Sequence, residues 1–359
     1  MIKIESVKKI LNYISVIIIS LIAVSCMDYG PKNESDFNYY DGNGLFIVNE
    51  GNFMYGNASL SYYDIDKKNV ENEIFVRSNG IKLGDVAQSM VIHNGLGYVV
   101  VNNSGVIFTI DINTFKIIDI ITGFTSPRYI HFVNDNKAYV TDLYGSKIYI
   151  LNPVTKKISG SIPVQGHKST EQMVQSGKYV FTNCWSYDNK ILVIDSENDI
   201  IADSITAGIQ PNSMVIDKNN KLWALTDGGY QGNPYGHDIP SLLCINTSDF
   251  KIEKKFDFEL NDSPTDLCIN NSLDTLYFIN KSIWKISTDA AQLPDAPIIP
   301  YKGTRYYGLA VSPKNSEIYL ADAIDYVQNG KIYRYTAQYV CIDTIDAGVC
   351  PSNFCFKLK

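Results

Sequence analysis

Short hydrophobic strands alternate with polar turns along the chain, and the pattern repeats at intervals of roughly 40 to 53 residues. In each repeat, a turn rich in Pro, Ser, Gln and Asn leads into an apolar strand, and the next strand ends in a polar, aromatic loop. Residues 212–216 (NSMVI), 221–225 (KLWAL) and 227–230 (DGGY) give one example. A repeat of this length is typical of a four-stranded β-propeller blade. We call the recurring turns the leading turns, and they lie at residues 88–90, 126–130, 171–173, 210–214, 263–267, 305–309 and 350–354.

The two ends of the repeat array predict how the ring closes. Residues 45–49 fit the second strand of a blade, and 59–64 and 73–76 fit the strands that follow it. The missing innermost strand is supplied by residues 353–357 at the C-terminus. The sequence therefore predicts an all-β, seven-bladed propeller whose last blade is closed by pairing of the C-terminal strand with N-terminal strands. The runs 287–293 and 324–328 are insertions at most.

The first residues have the order of a lipoprotein leader. Lysines precede an apolar run over residues 10–23, and Cys26 follows the small residues at 23–25. A transmembrane anchor is the alternative, but the run is shorter than the roughly 20 residues that a span prefers. We therefore predict a signal peptide at 1–25, a lipidated tether at 26–43 and the propeller at 44–359. Acidic residues at 28, 34 and 36 resemble export signals of surface lipoproteins, which predicts an outer-membrane protein facing the exterior.

Charge and cysteine spacing narrow the chemistry. There are 31 Lys and Arg against 38 Asp and Glu, a formal net charge of −7 without a basic stripe, which disfavours nucleic acid. No C-x-x-C pair or Cys/His cluster with zinc spacing occurs, so no metal site is predicted. Cys341 and Cys350 flank one turn and are candidates for a disulfide; the alternative is that each is a small buried hydrophobe.

Candidate binding chemistry concentrates in the loops of one propeller face. The leading turns and the loops after the second strands emerge together and are dense in Asn, Gln, Ser, Tyr and Trp. Such side chains suit a large ligand rich in amides or hydroxyls, although turn geometry and blade packing would select many of the same residues. No catalytic motif is present; Glu50, Glu171 and Asp325 are the first carboxylates to consider if the protein is an enzyme.

Several segments resemble a known family. Residues 45–53 (LFIVNEGNF), 58–64 (ASLSYYD), 100–105 (VVNNSG) and 322–330 (DAIDYVQNG), with parts of 125–143 and 210–230, are similar to BtuG-type surface lipoproteins of Bacteroidetes. These are YncE-like seven-bladed propellers that capture cobalamin, vitamin B12, outside the cell. The resemblance covers essentially the whole chain after Tyr40. It implies a corrinoid ligand, no enzymatic activity, no further cofactor, and a TonB-dependent transporter of the BtuB type as partner.

Cobalamin combines a broad corrin disc, peripheral amides and a nucleotide loop with one phosphate, so it calls for aromatic surfaces, amide partners and a cation. Arg128 and Arg305 are the phosphate candidates, each beside a tyrosine; an ion pair between blades is the alternative for either arginine. These assignments come from loop position alone. The candidate ligand residues are Asn52, Phe53, Asn103, Arg128, Tyr129, Tyr144, Gln172, Trp185, Tyr187, Asn212, Tyr230, Arg305, Tyr306, Asp325 and Tyr326.

Two other functions stay open from the sequence. A propeller hydrolase or lyase acting on a glycan or lactone would require clustered carboxylates with raised pKa near the channel. A surface module that binds protein through a flat face is the third possibility. The loop over residues 231–240, which carries Tyr235 and His237, is long enough to act as a flap over the face.

Overall fold

Seven antiparallel sheets surround a central channel in the computed structural model, which describes residues 39–164, 166–167 and 169–359. Blade 1 joins β1 (Gly44–Asn49), β2 (Ser59–Asp64) and β3 (Asn69–Glu71) to the last strand of the chain, β27 (Pro351–Lys357). The other blades follow in chain order. Blade 2 consists of β4 (Ala87–His93), β5 (Leu96–Val101), β6 (Val106–Asp111) and β7 (Ile117–Ile121), and blade 3 of β8 (Pro127–Asn134), β9 (Lys137–Asp142), β10 (Lys147–Asn152) and β11 (Lys157–Pro163). Blade 4 consists of β12 (Thr170–Ser176), β13 (Tyr179–Cys184), β14 (Lys190–Asp195) and β15 (Ile200–Thr206), and blade 5 of β16 (Pro211–Ile216), β17 (Lys221–Thr226), β18 (Ser241–Asn246) and β19 (Ile252–Asp257). Blade 6 consists of β20 (Thr265–Ile269), β21 (Thr275–Asn280) and β22 (Ser282–Ser287), and blade 7 of β23 (Tyr306–Val311), β24 (Ile318–Asp322), β25 (Asn329–Tyr335) and β26 (Cys341–Val349).

The predicted fold and its closure are confirmed. Strand β27 pairs antiparallel with β1, with Gly44 opposite Lys357 and Phe46 opposite Cys355. The innermost strands β27, β4, β8, β12, β16, β20 and β23 each lie beside the next around the ring. The C-terminal strand therefore joins the two ends of the chain and leaves no open face between the first and last blades.

Strand β1 shows why the central strands are hydrophobic on both faces. Phe46 and Val48 pack toward blade 2, whereas Leu45 and Ile47 pack toward blade 7. All four side chains are fully buried. Because each blade lies between two others, successive residues of a middle strand point into two different cores, and the strand reads as a continuous apolar run.

Two elements differ from the sequence prediction. Residues 73–76 were predicted as a strand, but the outer strand of blade 1 is β3, and a short helix α1 (Ile74–Asn79) follows it. The helix buries Ile74 and Phe75, and the left-handed Gly80 caps its end by donating to the carbonyl of Val76. Tertiary burial of these two side chains outweighs the strand propensity of the Ile-Phe-Val run. Blade 6 has three strands; Ile299, paired in isolation with Ile283, stands where a fourth strand would begin.

The disulfide candidate is wrong. Cys341 begins β26 and Cys350 directly follows its last residue, so the strand, at about 3.3 Å per residue, separates them by far more than a disulfide spans. Both cysteines are free. Among the described residues no helix is long and apolar enough to cross a membrane. Cys26, the leader and most of the tether lie outside the described residues.

Candidate functional site

One face of the ring carries both the leading turns and the loops after the second strands. Each innermost strand begins there, the second strand returns to it, and the third strand leaves from it, because all pairs within a blade are antiparallel. We call this face the top face. Tyr40 lies at the other face, where its N–H donates to the carbonyl of Asn113 in the β6–β7 turn. The sequence prediction that these two sets of loops share a face follows from the same connectivity.

Every innermost strand carries a register shift where it leaves the top face. In blade 2 the shift falls between Ala87 and Ser89, and in blade 7 between Tyr306 and Gly308. The five remaining blades have the same irregularity. A bulge places one or two residues outside the regular pairing and re-aims their side chains. Each blade contributes one polar bulge residue at the mouth of the channel. We call these seven residues the inner ring: Gln88, Arg128, Glu171, Asn212, Asp266, Tyr307 and Ser352.

Arg128 links three blades in this inner ring. Its Nε donates to both carboxylate oxygens of Glu171, at 2.9 and 2.8 Å, and its Nη1 donates to Oε1 of Gln88. The Arg128 and Glu171 side chains are 13% and 5% exposed. An arginine held in this way is not available to a ligand phosphate. Arg128 therefore forms the ion pair between blades that was the alternative for it, and we do not propose it as a phosphate ligand.

A second contact in the inner ring involves Glu50 of the β1–β2 loop. Glu50 Oε2 accepts a hydrogen bond from the Tyr307 hydroxyl at 2.9 Å. Burial raises the pKa of Glu50, with Ser352, Tyr307 and Arg128 opposing the rise. The sequence analysis names Glu50 as a carboxylate to consider in an enzyme, but it does not predict Tyr307 as a site residue.

Asp266 is a third buried carboxyl group at the inner ring. Its pKa is raised to about 7: burial is the largest cause, the nearby Glu50 carboxylate adds to the rise, and the Thr265 hydroxyl opposes it. The Thr265 hydroxyl donates to Oδ2 of Asp266 at 3.3 Å, and this is the one side-chain hydrogen bond that the Asp266 carboxyl makes among the described residues. Burial also raises the pKa of Glu171 against the effect of Arg128. The channel mouth thus holds three carboxyl groups whose charged forms are disfavoured.

Exposed aromatic side chains surround this inner ring. Nine Tyr or Phe side chains are strongly exposed in the described part of the chain, and eight of them stand on top-face loops. The ninth, Tyr39, is near the opposite face. We call the eight the aromatic rim: Phe53 (62% exposed), Tyr55 (76%), Tyr144 (70%), Tyr187 (47%), Tyr230 (52%), Tyr235 (52%), Tyr301 (53%) and Tyr326 (39%).

Neighbouring rim residues contact each other across blades. Tyr187 of blade 4 and Tyr230 of blade 5 interact through their side chains, and this interaction raises the pKa of the Tyr230 hydroxyl. Trp185 is half-buried behind them and donates from Nε1 to Asp227 at 3.0 Å. Tyr326 lies edge-on to Tyr307, with ring centroids 5.4 Å apart, and the guanidinium of Arg305 stands 5.7 Å from its centroid. The rim and the inner ring therefore meet at blade 7.

The two candidate arginines occupy different positions in their turns. Pro127 and Tyr306 are equivalent, because each pairs with the aspartate that ends the second strand of its blade. Arg128 follows the first paired residue and points into the channel, whereas Arg305 precedes it and is exposed. Tyr306, predicted to touch the ligand, packs against the core of blades 6 and 7 instead.

The predicted amide partners are largely engaged within the protein. Asn52 donates to the Tyr326 carbonyl at 2.5 Å, and Asn103 donates to Asp85 at 2.6 Å. Gln172 accepts from the Met214 N–H at 3.2 Å, and Asn212 donates to the Pro264 carbonyl at 2.8 Å. They bridge loops and blades, so the alternative of structural roles fits them at least as well as ligand contact.

Asp325 and Tyr129 have identifiable structural roles. Asp325 Oδ1 accepts the N–H groups of Val327 and Gln328, each at 2.9 Å, and these bonds lower its pKa. Such a carboxylate stays ionised and caps its own turn. Tyr129 is half-buried in the channel wall beside Arg128, where burial raises the pKa of its hydroxyl to about 12.

The structure brings together three residues with metal-binding side chains that the sequence analysis did not connect. His167, Cys184 and Asp188 of blade 4 place one nitrogen, one sulfur and one carboxylate oxygen within 4.8 Å of one another. They are separated in sequence by 16 and 3 residues, which matches no zinc motif.

The fold and site define a seven-bladed β-propeller with a polar channel mouth and an aromatic rim. Residues 43–347 match the family described as a domain of unknown function, DUF5074, and the chain belongs to that family. A curated relative, Antigen Lp49 of Leptospira interrogans, is 29% identical over 126 residues, which make up 31% of this chain and 28% of that protein. The matched segment is thus less than a third of the relative's length.

Solved structures with the same fold come from proteins with varied names. A quinonprotein alcohol dehydrogenase-like protein from Bacteroides thetaiotaomicron superposes with a TM-score of 0.69 at 17% identity, covering 88% of this chain and 79% of that one. A putative 6-phosphogluconolactonase from Bacteroides fragilis gives 0.65 at 11% identity, covering 88% and 98%. Streptogramin B lyase gives 0.59 at 16% identity, covering 75% and 86%. At these identities the similarity establishes the fold alone.

Proposed function

We propose that this protein is a cell-surface lipoprotein that captures cobalamin or a related corrinoid on its top face and passes it to a TonB-dependent outer-membrane transporter. The aromatic rim is the observation that carries the proposal. Eight exposed aromatic side chains gathered on one face leave apolar area in contact with water, and a broad planar ligand would cover that area. The predicted leader over residues 1–25, followed directly by Cys26, supports lipid anchoring.

Arg305 supplies the cation that the nucleotide loop of cobalamin requires. Its guanidinium is exposed at the rim, lies against the Tyr326 ring and has no carboxylate within ion-pair distance in the described part of the chain. A phosphate bound there would pair with a planar donor that is already oriented by a stacked ring.

Calorimetry with cobalamin and with cobinamide, which lacks the nucleotide loop, tests the proposal directly. We expect both corrinoids to bind the full chain, cobalamin more tightly. The variants Tyr187→Ala and Tyr230→Ala should each weaken binding by about three- to tenfold. Tyr39→Ala, an exposed tyrosine away from the top face, is the matched control. Corrinoid capture is refuted if neither corrinoid gives binding heat, or if Tyr39→Ala weakens binding as much as the two rim variants do.

A second candidate function rests on the inner ring. Three carboxyl groups with raised pKa stand at the channel mouth, which is the arrangement expected of a hydrolase or lyase that acts on a lactone or glycan. Glu171 is paired with Arg128, and Glu50 accepts a hydrogen bond from Tyr307, so both carboxyl groups have a structural role in the inner ring. Asp266 is the general acid or base this alternative would require, since its pKa lies near neutrality.

Turnover assays separate the two functions. An enzyme should convert a lactone or glycan substrate, and Asp266→Asn should slow it by about 10²- to 10⁴-fold. If the protein is a capture protein, the same variant leaves corrinoid affinity within about twofold, and no substrate is consumed. Turnover that survives Asp266→Asn would remove this carboxyl from the proposed chemistry.

A further inference from the structure

We propose that His167, Cys184 and Asp188 form a binding site for a borderline transition-metal ion, with Zn²⁺ as the occupant that best suits the donor set. His167 lies in the loop before β12, Cys184 ends β13, and Asp188 lies in the loop that follows. The three therefore lie at the top-face end of blade 4. The proposal is independent of which ligand the rim binds.

The donor geometry is close to that of a zinc centre. His167 Nδ1 and Asp188 Oδ2 are 2.9 Å apart, and the Cys184 sulfur lies within 4.8 Å of both. Ligand atoms of a tetrahedral zinc site, with bonds of about 2.0 to 2.3 Å, are separated by about 3.3 to 3.8 Å. Small side-chain rotations would bring the three atoms around one ion, and three protein ligands leave a fourth position for water or a bound molecule.

Burial gives these groups a reason to hold an ion. Cys184 is fully buried, and its thiol makes no hydrogen bond among the described residues. The Asp188 side chain is 5% exposed, and His167 is its one ion-pair partner in the described part of the chain. A neutral imidazole, a thiolate and a carboxylate carry two negative charges, which a divalent cation would balance.

The backbone around the site is fixed before any ion binds. The carbonyl of Asp188 accepts the N–H of Gln210 from the next leading turn at 2.9 Å, and its Oδ1 accepts the N–H of Asn189 at 2.6 Å. The N–H of His167 donates to the carbonyl of Val164 at 2.8 Å. Cys184 is held in the sheet opposite Thr170. A preorganised backbone lowers the ordering cost of binding.

The donor types select the class of metal. Thiolate and imidazole favour Zn²⁺ and its borderline neighbours over Ca²⁺ and Mg²⁺, which prefer oxygen ligands. Co²⁺ is therefore a suitable probe, because a thiolate bound to it gives a charge-transfer absorption band that oxygen and nitrogen ligands alone do not give.

The test is a Co²⁺ titration of the full chain, made without a histidine tag and stripped with a chelator. We expect one equivalent to saturate the thiolate charge-transfer band and Zn²⁺ to abolish it by displacement. Cys184→Ser should lose the band, and His167→Ala and Asp188→Asn should each weaken Co²⁺ affinity about 100-fold or more. Cys341→Ser, which alters an exposed cysteine on another blade, is the matched control and should behave as the unaltered chain.

Two results would overturn the site. One is a titration without a thiolate band, which would leave His167 and Asp188 as an ion pair beside an inert thiol. The other is a band that persists in Cys184→Ser and disappears in Cys341→Ser. Circular dichroism of each variant verifies the fold, and the isosteric Asp188→Asn keeps the test decisive if Cys184→Ser does not fold.

Discussion

Arg305 and Arg128 differ by two positions relative to the first paired residue of their strands, and this difference decides what each can bind. We predict that Arg305→Ala lowers the affinity for cobalamin about tenfold, equivalent to about 1.4 kcal/mol, because it removes a charge-assisted hydrogen bond. Its effect on cobinamide should be within about twofold. Paired calorimetric titrations measure both. Lys302→Ala, an exposed cation nearby, is the control; equal effects on the two corrinoids would exclude a phosphate contact.

Arg128 should matter for stability instead. Removing it leaves the buried Glu171 carboxylate without its cation, which costs about 3 to 5 kcal/mol when one partner of a buried pair is lost. We expect Arg128→Met to lower the urea midpoint strongly and the double variant with Glu171→Gln to recover much of the loss. Lys331→Ala, from a largely exposed pair with Asp346, should change the free energy of unfolding by no more than about 1 kcal/mol. A double variant as unstable as Arg128→Met would contradict the pairing.

Asp266 gives the protein a predictable pH dependence. The folded protein keeps the Asp266 proton up to about pH 7, whereas the unfolded chain releases it near pH 3.8. More protons are bound in the folded state, so the free energy of unfolding contributed by this group falls as pH rises between about 4 and 7. We expect Asp266→Asn to be more stabilising, relative to the unaltered chain, at pH 8 than at pH 5. Urea denaturation at both pH values measures this, and a pH-independent difference would show that the carboxyl ionises normally.

At the scale of elements, the strands could be predicted and the bulges could not. Alternating apolar runs and Asp or Asn turns locate 45–49, 59–64 and the C-terminal strand, because burial on both faces leaves a strong pattern. A bulge adds one or two residues without changing that pattern, so whether residue 128 or 305 faces the channel depends on register alone. The helix at 74–79 was missed for a similar reason, since its two buried side chains also fit a strand.

The innermost strands approach each other closely enough to require glycine in one position. A Cβ on Gly308 of β23 would lie 2.3 Å from the carbonyl oxygen of Ser352 in β27. We predict that Gly308→Ala destabilises the protein by about 1 to 3 kcal/mol, because two backbones must separate. Gly160→Ala, where the added Cβ would meet Ile150 at 3.4 Å, should be close to neutral. Thermal unfolding compares the two; similar melting would mean that blades 7 and 1 have room to move.

At the scale of the whole molecule, the closure by β27 makes the seven blades one cooperative unit. Lys357 adds to it, because its Nζ donates to the carbonyls of Tyr40 and Ile112 and so ties β27 to the chain beside blade 2. Loss of this strand would expose the paired edge of β1 and the sides of blades 7 and 2. The position of the rim depends on this closure, since Phe53 and Tyr326 stand on the two blades that the strand joins.

Deleting the last eight residues, 352–359, should therefore unfold more than one blade. We expect the melting temperature to fall by about 10 °C or more and the urea transition to broaden, because the ring opens at its one junction between chain ends. Removing residues 358–359 alone, which lie beyond β27, is the control and should leave melting nearly unchanged. Because the exposed edge of β1 can pair with another chain, the truncated protein should also associate in sizing experiments. If the eight-residue deletion melts like the control, the C-terminal strand does not hold the ring closed. The stability of the ring must then come from the packing between blades.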